Sequence, residues 1–292
     1  MAIKAALKAS EAAFGSFDSE FSTSMVNDST NAELTIKLRV WLEQINPRQV
    51  QLPLFLDFLG PIQLPVDIHD DSDSVPWVIR QWQPQEWFAF TDEYVREGQK
   101  FWEGRFWLLT PNKYAELDQP TGKPYYRPNV WCRFELSLAK SPADAHTNIS
   151  VLQLVAGEKE GHGFRSDAVL YTKFDLKADF SRDHNGRWHR QRTFIHELGH
   201  ALGLDHVGVL TNAPTCTAAV ADPKKDGTNS SECYDGASTA EADNVMGRGM
   251  TLTRLDALPW RKRLAEHTGT SDADWRAFRH RVYPRRLMEI PK

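Results

Sequence analysis

Two histidines and a glutamate near residue 200 have the spacing that metal chemistry requires. His196 and His200 are four residues apart in the segment Thr193–His206, where apolar residues recur at steps of three and four. This recurrence predicts a helix with one buried face, from which residues four apart project on the same side. Two imidazoles placed in this way can bind one metal ion. Glu197, rotated by about 100° from His196, can approach a water on that ion without binding the ion itself.

A third ligand is expected from the turn that follows this helix. Gly203 predicts the end of the helix, because a residue without a Cβ readily adopts the left-handed conformation that turns the chain. The turn returns His206 toward His196 and His200. Three protein ligands leave one position of a tetrahedral zinc ion open, as in catalytic sites. We therefore predict a zinc site in which Glu197 is the general base that activates water. The alternative is a buried helix with structural histidines.

The segment from His196 to His206 reads HELGHALGLDH, which has the form H-E-x-x-H-x-x-G-x-x-H. This form resembles the zinc-binding signature of the metzincin metallopeptidases, and it is most similar to the variant of the matrix metalloproteinases. The resemblance implies a zinc endopeptidase that acts on proteins or peptides, with three histidine ligands and Glu197 as the base. Two alternatives stay open: a peptidase for peptidoglycan cross-links, and a non-catalytic zinc-containing binding module.

The resemblance covers residues 33 to 268 and implies further features around the metal. It implies a turn with Met246 beneath the metal, a C-terminal helix over Leu255–His267, and an edge strand over Ala168–Lys173 that pairs with an extended substrate. Arg248 stands where astacins have a zinc-binding Tyr, so that role is not carried over. The His and Asp pattern for structural zinc and calcium is also missing before the motif. One catalytic zinc ion is therefore expected, and calcium stays possible but without support.

The segments ahead of the predicted motif helix are mostly strand-like. A helix is predicted for Asp92–Glu103, with Thr91 as its N-cap. The order of strand, helix, strands and motif helix is typical of an α+β domain. Together with the resemblance, it predicts a metzincin-like fold: a twisted, mostly parallel sheet with an antiparallel edge strand, an active-site helix, a methionine-containing turn and a C-terminal helix. The predicted strands lie at 33–42, 105–110, 130–139, 149–155 and 168–174.

Composition divides the chain into three predicted segments. An N-terminal leader spans 1–31, and a catalytic domain spans 32–268 with an insertion of loops and short strands at about 47–90. The insertion is rich in proline, and we expect its acidic run Asp67–Asp73 to be a solvated loop instead of a calcium site. A basic extension spans 269–292, and its interleaved aromatic and basic residues favour a solvated amphipathic helix.

Several residues outside the motif are further candidates. The three cysteines allow at most one disulfide. The segment 207–242 is predicted to be a long connection without structure of its own. Within it, Cys216 and Cys233 flank a polar stretch and either form a disulfide or stay as thiols, whereas Cys132 is expected to be a buried thiol. His184 and His189 precede the motif helix, and we expect both to be exposed, with a second metal site as the alternative.

The charge and the apolar pattern restrict the partners. The net charge of −4 gives no electrostatic reason to expect nucleic acid. No apolar run approaches the roughly 18 residues of a membrane span. Charges at Lys4 and Lys8 interrupt the N-terminal apolar residues too soon for a signal peptide. The resemblance to the metzincins implies a protein or peptide substrate and a place of action outside the cell, so we expect export by a specialised route, with a cytoplasmic location as the second hypothesis. The chain is expected to be a monomer.

Overall fold

The computed structural model describes residues 15–22, 31–45, 78–109, 129–155, 166, 168–225 and 227–279. Most of the predicted leader, the acidic run of the insertion and the last 13 residues of the basic extension lie outside the described residues. Within the described part of the chain, no helix has both the length and the apolar composition needed to cross a membrane.

The described residues form ten strands and seven α-helices. The strands are β1 Asp18–Ser22, β2 Asn31–Ile45, β3 Val78–Arg80, β4 Phe106–Leu109, β5 Asn129–Leu138, β6 Thr147–Val155, β7 Leu170–Thr172, β8 Ala178–Arg182, β9 Trp188–Arg192 and β10 Arg276–Phe278. The helices are α1 Pro84–Trp102, α2 Thr193–Ala201, α3 Val207–Leu210, α4 Pro214–Ala221, α5 Ser231–Asp235, α6 Thr239–Ala242 and α7 Leu258–Thr268.

Eight of these strands make one mixed sheet in the order β10-β4-β5-β2-β6-β3, with β1 also on β2 and β7 also on β6. Its central pairings, β5 with β2, β2 with β6 and β6 with β7, are parallel. The pairings of β1, β3, β4 and β10 are antiparallel. The structure thus confirms a mostly parallel sheet with an antiparallel edge. Strands β8 and β9 form a separate antiparallel hairpin.

One face of the large sheet carries the core. Every second residue of β2 from Leu34 to Leu42 is buried, while the residues between them are mostly half-buried, which is the period of a strand with one covered face. Helices α1 and α7 pack on the covered face. Gly98 of α1 lies so close to Leu136 of β5 that a Cβ atom would not fit between them. Trp260 of α7 lies against Phe134 of β5. Helix α1 also packs against α2. The sheet therefore supports α2 through α1.

Helix α1 begins earlier than the sequence analysis predicted. Pro84 is its first residue, where a fixed φ favours a helix and the missing N–H costs nothing. The carboxylate of Glu86 accepts a hydrogen bond from the backbone N–H of Gln83, 3.3 Å away. Thr91 lies inside the helix and donates to the carbonyl of Phe88. The prediction of Thr91 as the N-cap is therefore wrong, and residues 84–90, which the sequence analysis placed in the insertion of loops and short strands, belong to α1.

In the C-terminal part of the chain, the predicted helix is confirmed, whereas the prediction for the basic extension is wrong where the structure describes it. Helix α7 occupies most of the predicted span, after a short 3-10 turn at Leu255–Ala257. The beginning of the basic extension is not an amphipathic helix. Arg276–Phe278 forms β10 and pairs with β4, because the inward-facing Trp275 and Ala277 are buried while Arg276 is exposed. This alternation is the period of a strand.

Candidate metal centre

Helix α2 positions two of the three predicted histidines. Phe194, Ile195 and Leu198 bury one face of the helix in the core, so His196 and His200 project one turn apart from its other side. Gly203 has a φ of 81°, and its backbone N–H donates to the carbonyl of His200. The left-handed residue ends the helix and redirects the chain toward His206.

The imidazoles of His196, His200 and His206 converge on one point. The Nε2 atom of His200 lies 3.1 Å from the Nε2 atom of His196 and 3.1 Å from that of His206. One nitrogen from each ring lies within 4.8 Å of the other two. His196 and His206 are buried, and His200 is half-buried. This cluster can hold a metal ion.

A backbone carbonyl fixes the proton of each imidazole. The Nδ1 atom of His196 donates to the carbonyl of Val245, that of His200 to Leu204 and that of His206 to Thr228, at distances of 2.6 to 2.8 Å. A neutral imidazole with its proton on Nδ1 presents a lone pair on Nε2. Three such lone pairs therefore face one another, and a cation between them would stabilise this arrangement. In metal sites, a carbonyl partner on the other ring nitrogen commonly fixes the orientation of a histidine ligand. The residues present fit a metal ion.

Burial keeps these imidazoles neutral. Burial, together with the smaller effect of the neighbouring His200, lowers the pKa of His206 to about 3. Burial also lowers the pKa of His196 well below its usual range and lowers that of His200. Neutral imidazole is the form that binds a metal, so ligand protonation does not compete with an ion near neutral pH.

A tyrosine that the sequence analysis did not single out packs on the ligands. The ring centroid of Tyr234 lies 3.9 Å from that of His206 and 5.5 Å from that of His196. Arg248, two residues after Met246, forms an ion pair with the buried carboxylate of Asp235. Its guanidinium lies 5.7 Å from the centroid of the Tyr234 ring. An aromatic ring, and not Arg248, therefore contacts the ligands at this side of the site.

Met246 lies directly under α2. It is fully buried, and a Cβ atom on Gly199 of α2 would collide with its Sδ atom. The preceding residue, Val245, supplies the carbonyl that accepts from His196. The amide of Gln191 donates to the carbonyls of Val245 and Gly247, 3.1 and 2.8 Å away. The turn around Met246 thus positions a ligand through its backbone, and β9 holds the turn in place through Gln191.

Glu197 is buried on α2, next in sequence to His196. Its charge acts on two fully buried phenols, those of Tyr94 in α1 and Tyr171 in β7. Burial is the main reason that the pKa of each tyrosine is raised, and the charge of Glu197 raises it further. Both phenols therefore stay protonated, and each remains a potential hydrogen-bond donor.

The segment after His206 is not the structureless connection that its sequence favours. It contains four short helices, α3 to α6. Cys216 and Cys233 form a disulfide with their Cα atoms 4.5 Å apart, and Cys132 is a buried free thiol. Thr228 lies within the loop that the disulfide closes, and Tyr234 directly follows this loop. Both residues contact His206.

The expectation of exposed histidines before the motif is wrong for His189. Its side chain is fully buried between two carboxylates, with Nε2 3.0 Å from Asp183 and Nδ1 2.7 Å from Asp243. The hydrogen bond from His189 lowers the pKa of Asp183 to about 2. His184 is largely exposed, and its ring lies 2.9 Å from Asp235. Within the described ranges, the only cluster of three or more potential metal ligands is the one formed by the three motif histidines.

A buried carboxylate supports the Met246 turn and gives a pH-dependent prediction. Asp256 accepts hydrogen bonds from Asn244 and Thr253, and Asn244 in turn accepts from the backbone N–H of Met246. Burial raises the pKa of Asp256 to about 6, although these hydrogen bonds oppose the shift. Because the folded state holds this proton more tightly than the unfolded state, the contribution of Asp256 to stability falls as pH rises from about 4 to 6.

We expect Asp256→Asn to remove this fall. The free energy of unfolding, measured with urea at pH 4 to 7, should decline less for the variant than for the wild type by roughly 1 to 3 kcal/mol over that window. An exposed carboxylate in α7, changed by Glu266→Asn, is the control and should leave the slope unchanged. Parallel pH profiles for the wild type and Asp256→Asn would contradict the prediction.

Comparison of the chain with protein-family models, with curated proteins and with solved structures gives no match.

Proposed function

We propose that the chain is a zinc-dependent endopeptidase of the metzincin type. One observation carries the proposal: three neutral imidazoles, each fixed by a backbone carbonyl, converge through their Nε2 atoms. The buried Glu197 follows His196 on the same helix. Three protein ligands are typical of catalytic zinc, whereas structural zinc has four. The order of α2, the Met246 turn and α7 supports the metzincin type through its resemblance to that clan.

The residues have distinct roles in the proposed reaction. His196, His200 and His206 hold the ion, which when bound supplies a Lewis acid and a water that loses its proton near neutral pH. Glu197 accepts the proton of the attacking water and passes it to the leaving amine. The turn around Met246 orients His196 through the carbonyl of Val245. No covalent intermediate with the protein is needed, because water attacks the carbonyl directly.

The polypeptide substrate is proposed to lie along the edge of the sheet at β7. This strand is shorter than predicted, with only Leu170–Thr172 in the ladder with β6. Tyr171 in this strand lies against Tyr94, and Tyr94 lies against Phe194 of α2, the helix that carries Glu197. An extended peptide that pairs with this edge therefore passes close to the proposed base.

Metal removal tests the proposal. We expect one zinc ion per purified chain, cleavage of a peptide library by the zinc form, loss of cleavage on dialysis against a chelator, and recovery with zinc but not with calcium. His206→Ala should abolish stoichiometric zinc binding, whereas His267→Ala, at an exposed position in α7, should retain it. A chain that binds no zinc contradicts the proposal. Cleavage of purified cell wall in place of the library supports the peptidoglycan alternative, and zinc binding without any hydrolysis supports a binding module.

A further inference from the structure

Two aromatic residues and two arginines share the outer face of the β8–β9 hairpin. The pairing places Phe180 opposite Arg190 and Arg182 opposite Trp188. Opposed residues, and residues two apart in one strand, point to the same face. Phe180 and Trp188 are each 59% exposed, and both arginines are exposed. The four side chains therefore form a checkerboard, with the aromatic rings on one diagonal and the guanidinium groups on the other.

The opposite face of the hairpin is used by the fold, so the outward orientation of the checkerboard is fixed. His189 is buried between Asp183 and Asp243 on that face, and Gln191 contacts the Met246 turn. A shift of register by one residue would expose His189 and bury the arginines. Strand β9 continues directly into α2. The checkerboard thus lies one short strand away from the helix that carries the metal ligands.

The two cations of the checkerboard are not neutralised within the described parts of the chain. Arg192, the third arginine on this face, pairs with Glu97 of α1 at 3.0 Å. Arg182 and Arg190 form no ion pair with any described residue, and the guanidinium of Arg182 lies 4.2 Å from the centroid of the Trp188 ring. Planar guanidinium groups bind carboxylates through paired hydrogen bonds, and the exposed rings favour apolar contacts. The surface is therefore complementary to carboxylates separated by apolar groups.

An extended polypeptide matches this pattern in spacing. Side chains two residues apart in an extended chain lie about 6.6 Å apart on one side. Phe180 and Arg182 are also two residues apart in one strand, as are Trp188 and Arg190 in the other. A membrane surface or a nucleic acid fits less well, because anionic lipids and phosphate backbones are bound by larger clusters of cations than the two arginines of the checkerboard. We infer that this face of the hairpin is a docking surface for an acidic, partly apolar segment of the polypeptide substrate. The inference rests on the proposed peptidase for its substrate.

The binding test uses the full-length, zinc-loaded Glu197→Gln protein, so that the ligand is not cleaved. The probe is a fluorescent peptide that repeats Glu-Ser-Leu-Ser, so that Glu and Leu alternate on one side of the extended chain. A peptide of equal length that repeats Lys-Ser-Leu-Ser serves for comparison. We expect the Glu peptide to bind in a salt-dependent manner and Arg182→Gln/Arg190→Gln to weaken it by at least about tenfold. The control Arg254→Gln/Lys262→Gln removes the same charge from exposed positions elsewhere and should leave affinity unchanged. Phe180→Ser/Trp188→Ser should weaken binding without changing its salt dependence.

A kinetic test in the catalytically intact protein separates this surface from the metal centre. A cleavable peptide from the library is compared with the same peptide carrying a Glu-Ser-Leu-Ser extension. The extension should lower KM, and Arg182→Gln/Arg190→Gln should raise KM again by about tenfold with kcat unchanged. Cleavage of the short peptide should be the same in both proteins.

The outcomes distinguish this inference from the proposed function. Binding of the Glu peptide through the arginines, together with absence of hydrolysis, supports the docking surface and defeats the peptidase. Equal binding of the Glu and Lys peptides, or binding that the arginine variant does not weaken, overturns the docking surface even if hydrolysis is found. It is also overturned if phosphatidylserine vesicles or an oligothymidylate bind through the arginines while the Glu peptide does not.

Discussion

Replacing Glu197 with Gln is expected to lower the rate of peptide hydrolysis by about 10² to 10⁴-fold and to leave bound zinc at one ion per chain. The amide has nearly the shape of the carboxylate but cannot accept the proton of water at neutral pH. We expect the metal ligands to be unaffected, because the imidazoles of His196, His200 and His206 are each oriented by a backbone carbonyl, that of Val245, Leu204 and Thr228, respectively. The measurements are metal content by mass spectrometry and initial rates with a peptide from the library.

The same substitution on the surface is the control for this prediction. Glu266→Gln, in an exposed part of α7, should retain both zinc and activity. If Glu197→Gln keeps zinc and hydrolyses peptide at the wild-type rate, Glu197 is not the base. If Glu197→Gln loses zinc, the carboxylate has a structural part in the site, and its catalytic assignment is not supported.

The ligand set was predictable from sequence because it depends on short-range geometry. His196 and His200 lie on one helix, and a left-handed glycine, Gly203, turns the chain so that His206 comes back toward them. The main strands were predictable for a similar reason, since the alternation in β2 follows directly from having one covered face. In both cases the relevant period, 3.6 or 2, fits within a few residues of sequence.

The groups that orient these ligands were not predictable, because they come from distant segments. Thr228 and Val245 act through backbone carbonyls, which carry no sequence preference that could mark them. Tyr234 reaches His206 only because α5 folds back over α3. Gln191 lies on a hairpin that the sequence analysis did not predict, since the polar and charged residues of β8 and β9 resemble a loop in composition.

Two errors have a common physical origin in short segments with ambiguous patterns. The start of α1 was misplaced because Thr91 is a strong N-cap residue in general, whereas Pro84 and Glu86 provide the actual start. The extension was predicted to be helical because its aromatic and basic residues fit a helical face. Over the few residues that form β10, the periods of a helix and a strand are hard to distinguish, and pairing with β4 decides the conformation.

The disulfide is placed where it controls the third ligand. Cys233 immediately precedes Tyr234, whose ring packs on His206. The backbone of Cys233 also contacts Gly208, in the helix that directly follows His206. The bond joins residues 17 apart in sequence, and the segment within this loop also supplies the carbonyl of Thr228 to His206. Without the bond, the unfolded and locally opened states gain freedom, and both partners of His206 are held less firmly.

We therefore expect Cys216→Ala/Cys233→Ala to weaken zinc binding by about 10 to 100-fold and to lower the free energy of unfolding by about 3 kcal/mol. Zinc affinity is measured by competition with a chromophoric chelator, and circular dichroism establishes that the variant is folded. Cys132→Ala is the matched control, because Cys132 is equally buried but lies in β5, away from the site. It should lower stability through the cavity that it leaves and should not change zinc affinity. Equal zinc affinity in the two variants would show that the contacts of His206 do not depend on the disulfide, even though the bond closes the segment that provides them.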